Sequence, residues 1–533
     1  MSFKFVFFYL MSATFLLGPT SVLAAKKTFV FCSEGSPSSF NPQLATDGTS
    51  FDASSKTIYD RLVNFKYGET TIVPSLASKW DISKNGLEYT FTLRKGVKFH
   101  HTSWFTPSRD FNADDVLFSF NRMREKTHPY HSVGGGNYEY FESMEMGSLI
   151  KDIIKVDNYK VRFILTRPEA PFLADLAMDF ASILSAEYAQ SLAAKNQQEE
   201  IDRKPIGTGP FVFNKYVKDN LIRYDTHKNY FQGPAKIDQL VFSINPQSSV
   251  RYQKLKTGEC DLMAYPSPQD IEGMKKDSNL KVLEAAGLNV GYLGMNMDKK
   301  PFSDLKVRKA INYALNKESY IKAIYLGQGK VAKNPLPPTM WSFNNKISDY
   351  DYNPELAKKL LHEAGYDKGF DTELWALPVP RPYIPDGKKM AEMMQADLAK
   401  VGIRAKIVSY DWPTYLSKTK NGEHQLVQMG WTGDNGDPDN FLGVLLSCPA
   451  VKAGSNLAHW CSKRFDKLVE AGKRTSNMKV RTQKYEEAQK VFHEEVPWVT
   501  LANAIVFRAQ RKNVVGYKID PFGTDYFYYV DFK

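Results

Sequence analysis

Stretches of helical periodicity and stretches of strand character follow one another along this chain, and that alternation leaves few architectures open. Pro354 to Ala364 is amphipathic at helical spacing and is closed by Gly365 before strand-like sequence; Met390 to Val401 repeats the pattern before Gly402. Glycine is the usual residue just past a helix end because it enters the left-handed region without strain. Leu305 to Ile324 carries apolar residues at 307, 310, 311, 314, 315, 321 and 324, predicting a helix behind Ser303 as a cap. Asn112 precedes Ala113 to Phe120, where Asp114 and Asp115 supply the early carboxylates that suit a helix N-terminus. Just before it, Lys79 to Ser83 and Tyr89 to Arg94 alternate in polarity around Lys84-Asn85-Gly86, which predicts a hairpin. The fold class is therefore α/β. At 533 residues there is room for two or more domains, and the absence of repeats, low-complexity tracts and flexible linkers implies that they are joined by short connections.

The N-terminus constrains location. Lys4, an apolar run from Phe5 to Leu17, the helix-breaking Gly18-Pro19 and the small residues up to Ala24-Ala25 read as a cleaved secretory signal over residues 1–25. No later stretch reaches the ~20 uninterrupted apolar residues of a membrane span. The first cysteine, Cys32, lies beyond Lys26 and Lys27 in strand-like sequence, too late for a lipid anchor. Four cysteines in an exported chain suggest two disulfides, with three pairings open. Net charge is +11 but dispersed, with no five-residue Lys/Arg run, which reads as a solvated surface and argues against nucleic acid.

Two loops carry the chemistry. In Gly430-Trp431-Thr432-Gly433-Asp434-Asn435-Gly436-Asp437-Pro438-Asp439-Asn440, glycine and proline exclude regular structure, and Asn and Asp bond their own backbone in turns. Carboxylates are thereby fixed beside an aromatic wall. In Trp375-Ala376-Leu377-Pro378-Val379-Pro380-Arg381-Pro382-Tyr383, prolines hold an extended backbone that presents one arginine next to Tyr383. A fixed anion and a fixed cation, each with an aromatic neighbour, suggest a zwitterionic ligand. Calcium fits poorly, because the aspartate spacing lacks the EF-hand pattern and its distal glutamate. His100-His101 and His128-Pro129-Tyr130-His131 come without the partners of a zinc site, so no metal is expected. There is no G-x-S-x-G elbow, Walker A sequence or G-x-G-x-x-G fingerprint, so no enzyme is expected.

Both loops, with Cys32-Ser33-Glu34-Gly35-Ser36-Pro37, Leu76-Ala77-Ser78-Lys79-Trp80, Phe91 to His100, Asn112-Ala113-Asp114-Asp115-Val116, Arg167 to Phe172, Gly207-Thr208-Gly209-Pro210-Phe211 and Gly287 to Tyr292, resemble the periplasmic dipeptide-binding proteins of bacterial ABC importers, a branch of the peptide- and nickel-binding family 5 solute-binding proteins. The likeness runs nearly end to end. It implies a two-lobed periplasmic binding protein of type 2, large peptide-binding class. The first lobe would span 26–286 plus 505–533, with an extra subdomain at 58–190, and the second 287–504. It also implies disulfides Cys32 with Cys260 and Cys448 with Cys461, a dipeptide ligand, an inner-membrane ABC permease as partner, a monomer and no cofactor. By the same resemblance Asp434 binds the ligand's free amino group and Arg381 its carboxylate, while Trp431, Tyr383, Trp412, Gly433 and Thr46 line the cleft. Since an extended residue spans at most ~3.6 Å, two fixed charges would measure ligand length and disfavour tripeptides. Relatives in this branch are associated with haem or glutathione, which stand as alternative ligands; His424 is the imidazole nearest the loop in sequence. A periplasmic hydrolase or a peptide-holding chaperone is the competing reading from another class.

Overall fold

The computed structural model describes residues 1–3 and 26–533, so the predicted export signal lies almost entirely outside the described residues. Two mixed sheets organise the chain. The seven-stranded sheet runs Leu280–Ala285, Val506–Arg511, Leu262–Ala264, Thr28–Ser33, Gln239–Ile244, Leu221–Thr226, Phe211–Val217. Thr28–Ser33 lies at its centre, parallel to Gln239–Ile244 and Leu262–Ala264, and buries Phe29, Phe31 and Cys32 completely. The Cys32–Cys260 disulfide ties this strand to the segment entering Leu262–Ala264.

The six-stranded sheet runs Gly329–Val331, Trp498–Ala504, Asn289–Met295, Leu426–Thr432, Phe370–Trp375, Ile403–Val408. Phe370–Trp375 and Ile403–Val408 are parallel and connected through the helix Gly387–Ala399, a βαβ unit. Asp386 caps that helix by accepting from Lys389 N–H at 3.0 Å. At the sheet centre the buried rings of Tyr292 and Trp498 stack with centroids 3.7 Å apart. A four-stranded antiparallel sheet holds the predicted hairpin as Ala77–Ile82 and Glu88–Leu93, beside Lys160–Leu165 and Ile150–Asp157. The helix Ala113–Arg124 begins at Asn112 with a full capping box to Asp115.

The long helix expected over 305 to 324 is instead broken. Leu305–Ala314 is capped by Asp304, which accepts from Lys306 N–H at 2.7 Å, and not by Ser303. At Leu315 the backbone turns extended, and Asn316 caps a new turn, Lys317–Tyr320. An asparagine that can bond the backbone locally interrupts a helix even where the apolar stripe continues.

The chain passes between the two large sheets twice. Leu280–Ala285 hands over to Asn289–Met295, and Trp498–Ala504 hands over to Val506–Arg511 with Ile505 alone between. The buried Asn289 clamps the crossings together: its Nδ2 donates to Ala504 O at 2.9 Å, and its Oδ1 accepts from Ala504 N–H at 3.0 Å. Gly287 sits so close that a Cβ there would lie 1.9 Å from Asn289 Nδ2 and 2.1 Å from Ala504 O. Two short, mutually bonded crossings joining two sheet-based lobes make a hinge.

Candidate functional site

The strand Leu426–Thr432 delivers the acidic loop to the cleft between the lobes, and the loop sorts its carboxylates. Asp437 pairs with Arg481 at 2.6 Å, and buried Asp439 lies 3.9 Å from Lys473, so both serve the packing of the lobe. Asp434 is the one that reaches the cavity described next. Its N–H donates to Asn440 Oδ1 at 2.9 Å, the same oxygen that accepts from Trp431 Nε1 at 2.9 Å. Asn440 therefore fixes carboxylate and indole together. Tyr140, reaching from the other side of the cleft, donates to Asp434 Oδ2 at 2.5 Å. Burial, with Asp179 adding to it and Tyr140 and Lys56 opposing, pushes the Asp434 carboxyl up to about 7.

Arg381 leaves the second sheet on the proline-held segment after Phe370–Trp375. Its side chain is 5% exposed, and its guanidinium lies over the Trp412 ring at 5.0 Å and the Tyr265 ring at 5.4 Å. Nη1 forms an ion pair with Glu34, which follows the central strand of the first sheet. Burial works against the charge, but Glu34 together with Tyr265, Tyr383 and Asp47 outweighs it and holds the guanidinium above its ordinary pKa. Tyr383 packs flat against Gly430, where a Cβ would meet the Tyr383 ring at 2.2 Å; the glycine of the Gly-Trp-Thr-Gly run thus makes room for the tyrosine of the other loop. Trp412 Nε1 donates to Asp47 Oδ1 at 3.5 Å, another contact between the lobes.

These side chains enclose a cavity of about 370 Å³ whose lining includes Thr46, Arg381, Tyr383, Trp412, Trp431 and Asp434. That volume is within the ~300–1,000 Å³ of small-molecule pockets. Gly433 is not in the lining: it packs toward Phe441 and Leu288, and its N–H is used by Leu288 O at 2.8 Å. Asp47, next to Thr46 in the segment expected to contribute from the first lobe, also lines the cavity, as do Glu139 and Tyr265, which carried no signal in the sequence. Glu34 lay in one of the matched segments without an assigned role. A second cavity of about 770 Å³ adjoins the first, with Arg381 and Tyr265 lining both.

The histidines lie elsewhere. His424 is fully buried, with Nε2 against Leu457 O at 2.7 Å, and does not line the cavity. His100 is buried against Gly209 O at 2.9 Å and edge-on to His227, and burial lowers it to about 3. Among the described residues no group of three or more His, Cys, Asp or Glu side chains is placed to hold a metal ion. No helix among them is long and apolar enough to cross a membrane.

Two lobes joined by a double-strand hinge, closing on a cavity lined by the buried carboxyl of Asp434 and the buried guanidinium of Arg381, define a solute-binding protein that grips its ligand between lobes. The family model described as bacterial extracellular solute-binding proteins, family 5 Middle, matches residues 71–453, and the chain belongs to that family. It is 54% identical over 501 residues to the dipeptide-binding protein of Escherichia coli K12, covering 94% of each chain. It is 48% identical to heme-binding protein A of Haemophilus influenzae, covering 95% of this chain and 92% of that one. The crystal structure of a dipeptide-binding protein from Pseudoalteromonas sp. SM9913 in complex with Met-Leu superposes with a TM-score of 0.93 at 42% identity, covering 95% of this chain and 100% of that one.

Proposed function

We propose that this protein captures dipeptides in the periplasm, by their free amino and carboxylate ends, and delivers them to an inner-membrane ABC permease without chemical change. The observation that carries this reading is the pair of buried, oppositely charged side chains, Asp434 and Arg381, lining one cavity. A buried charge left unpaired costs several kcal/mol, so each end of a zwitterion has a counterion that rewards it and penalises a blocked terminus. Asp434 takes the ammonium and Arg381 the carboxylate, while Trp431, Tyr383, Trp412 and Thr46 wall the side-chain space. Lobes divided at 26–286 plus 505–533 and 287–504, with 58–190 as a subdomain, agree with crossings just after Ala285 and at Ile505. Export by the N-terminal segment, action as a monomer and handover to the permease complete the proposal.

Haem is the second reading, favoured by the Haemophilus relative. The position of His424 outside the cavity lining speaks against an imidazole ligand from that residue. Calorimetric titration of denatured, stripped and refolded protein separates the readings. Tight binding is expected for an apolar dipeptide such as Met-Leu and not for its N-acetylated form; a tripeptide should bind more weakly. Haem binding without a dipeptide response would keep the fold and overturn the substrate. Slow release of free amino acids during long incubation would establish hydrolysis instead.

A further inference from the structure

The Arg381–Glu34 pair is incomplete on both sides. Glu34 is 2% exposed and Arg381 5%, yet only Oε1 and Nη1 meet; among the described residues nothing pairs with Glu34 Oε2 or with Arg381 Nη2. A carboxylate and a guanidinium free to choose their geometry pair through two parallel hydrogen bonds. Here the rings of Trp412 and Tyr265 hold the guanidinium plane, and Glu34 takes one amino group and leaves the other. The partners are 347 residues apart in the chain and hang from different sheets, so the pair exists only when the lobes meet.

The surroundings tolerate a second carboxylate next to Glu34. Arg251 is fully buried, and its hydrogen bonds go to the carbonyls of Asn245, Pro246, Ala264 and Tyr265 and to no carboxylate. Burial lowers it to about 10, with Glu34 the foremost charge opposing that fall. Arg508 is matched by Asp525 at 2.9 Å, and Asp47 is engaged by Ser50 N–H, Ser38 and Thr49. Arg251 therefore adds positive field where two carboxylates would share Arg381. The other end of the cavity repeats the arrangement: Asp434 of the second lobe is met by Tyr140 from across the cleft.

We propose that Glu34 is a positioning residue of the binding site. As the lobes close it takes Arg381 Nη1 and fixes the guanidinium against the cavity it lines, so that ligand retention depends on closure. The proposal rests on the reading that Arg381 binds the ligand carboxylate. It excludes the opposite role, in which Glu34 competes with the ligand for Arg381.

Stopped-flow association and dissociation of a free dipeptide and of its C-terminally amidated form, on the parent, E34Q, E34D, R381A and E34Q/R381A, test it. Association should change little in E34Q, because Glu34 acts after encounter, while dissociation of the free dipeptide should accelerate by about tenfold or more, as truncated buried charge pairs do. E34D keeps the charge but shortens the reach and should fall between parent and E34Q. The amidated form should show little change, and E34Q should add almost nothing in the R381A background, a coupling that a merely structural role would not produce. Slower dissociation in E34Q would make Glu34 a competitor and overturn the proposal, as would equal losses for free and amidated ligand or additivity with R381A. Parental binding by R381A itself would instead overturn the carboxylate reading on which the proposal rests.

Discussion

Asp434 is a carboxyl held close to neutrality by burial, and this has consequences in two directions. Its folded pKa, about 7, lies above the ordinary 3.8, so between those values the folded chain holds a proton that the unfolded chain has released. That contribution to stability is fully present below the ordinary value and is lost as the pH rises through about 7. Binding runs the other way, because a ligand ammonium needs the carboxylate. Dipeptide affinity should fall as the pH drops below about 7, by up to about tenfold per unit, and should also weaken above ~8 where the α-amino group loses its proton. Calorimetry at pH 6 in buffers of different ionisation enthalpy should show proton release on binding; none would mean that Asp434 is already ionised or is not the partner. Asp434→Ala should nearly abolish binding with little loss of melting temperature, whereas parental affinity in a folded variant would remove it from the site. Arg381→Ala should weaken free dipeptides far more than C-terminally amidated ones, and equal losses would count against its carboxylate role. The choice of Asp434 among three aspartates is what the family resemblance implies, whereas the two loops were legible in the sequence because their glycines and prolines declare a fixed backbone. Glu34 and Tyr140 were not, because an acid after a buried strand and a tyrosine on a short helix look like ordinary packing until the opposite lobe is in place.

Among the elements, the hinge tolerates little change. Adding a methyl group at Gly287 would drive it into Asn289 Nδ2 and Ala504 O, breaking the clamp between the crossings. Gly287→Ala should therefore destabilise by about 1–3 kcal/mol, the cost of leaving buried hydrogen-bonding groups unmatched, and a melting curve identical to the parent's would refute it. The Cys448–Cys461 disulfide, closing a separation of 13 residues beside the acidic loop, should contribute about 3 kcal/mol, read as a lower unfolding midpoint for the paired serine variant. Elements were legible where local chemistry agreed with periodicity, as at the Asn112 cap and the hairpin around Lys84-Asn85-Gly86. Periodicity misled over 305 to 324, where the apolar stripe continues through a point at which Asn316 restarts the helix. Gly433 shows the same limit in the site: loop sequence brought it near Asp434, but the bond to Leu288 turned its N–H away from the cavity.

For the whole molecule, polar contacts join the lobes at both ends of the ligand reading, Glu34 to Arg381 with Trp412 to Asp47 beside it, and Tyr140 to Asp434. Polar partners of this kind are readily exchanged for water, so the lobes should separate and rejoin about the hinge, and ligand should shift the population toward the closed form. Small-angle scattering of stripped protein should show a radius of gyration that falls on adding dipeptide; an unchanged value would count against hinge closure. What the sequence by itself determined is the alternation that makes the chain α/β, the rigidity of the two charged loops and the even cysteine count, since all of these are local properties of spacing and residue type. Only the tertiary structure decided that the two charges line one cavity, which partners complete them, and which cysteines meet. The first two depend on atoms brought together by the packing of two sheets from residues as far as 347 positions apart, and the Cys32–Cys260 bridge on one sheet joining residues 228 apart, distances over which no local pattern extends.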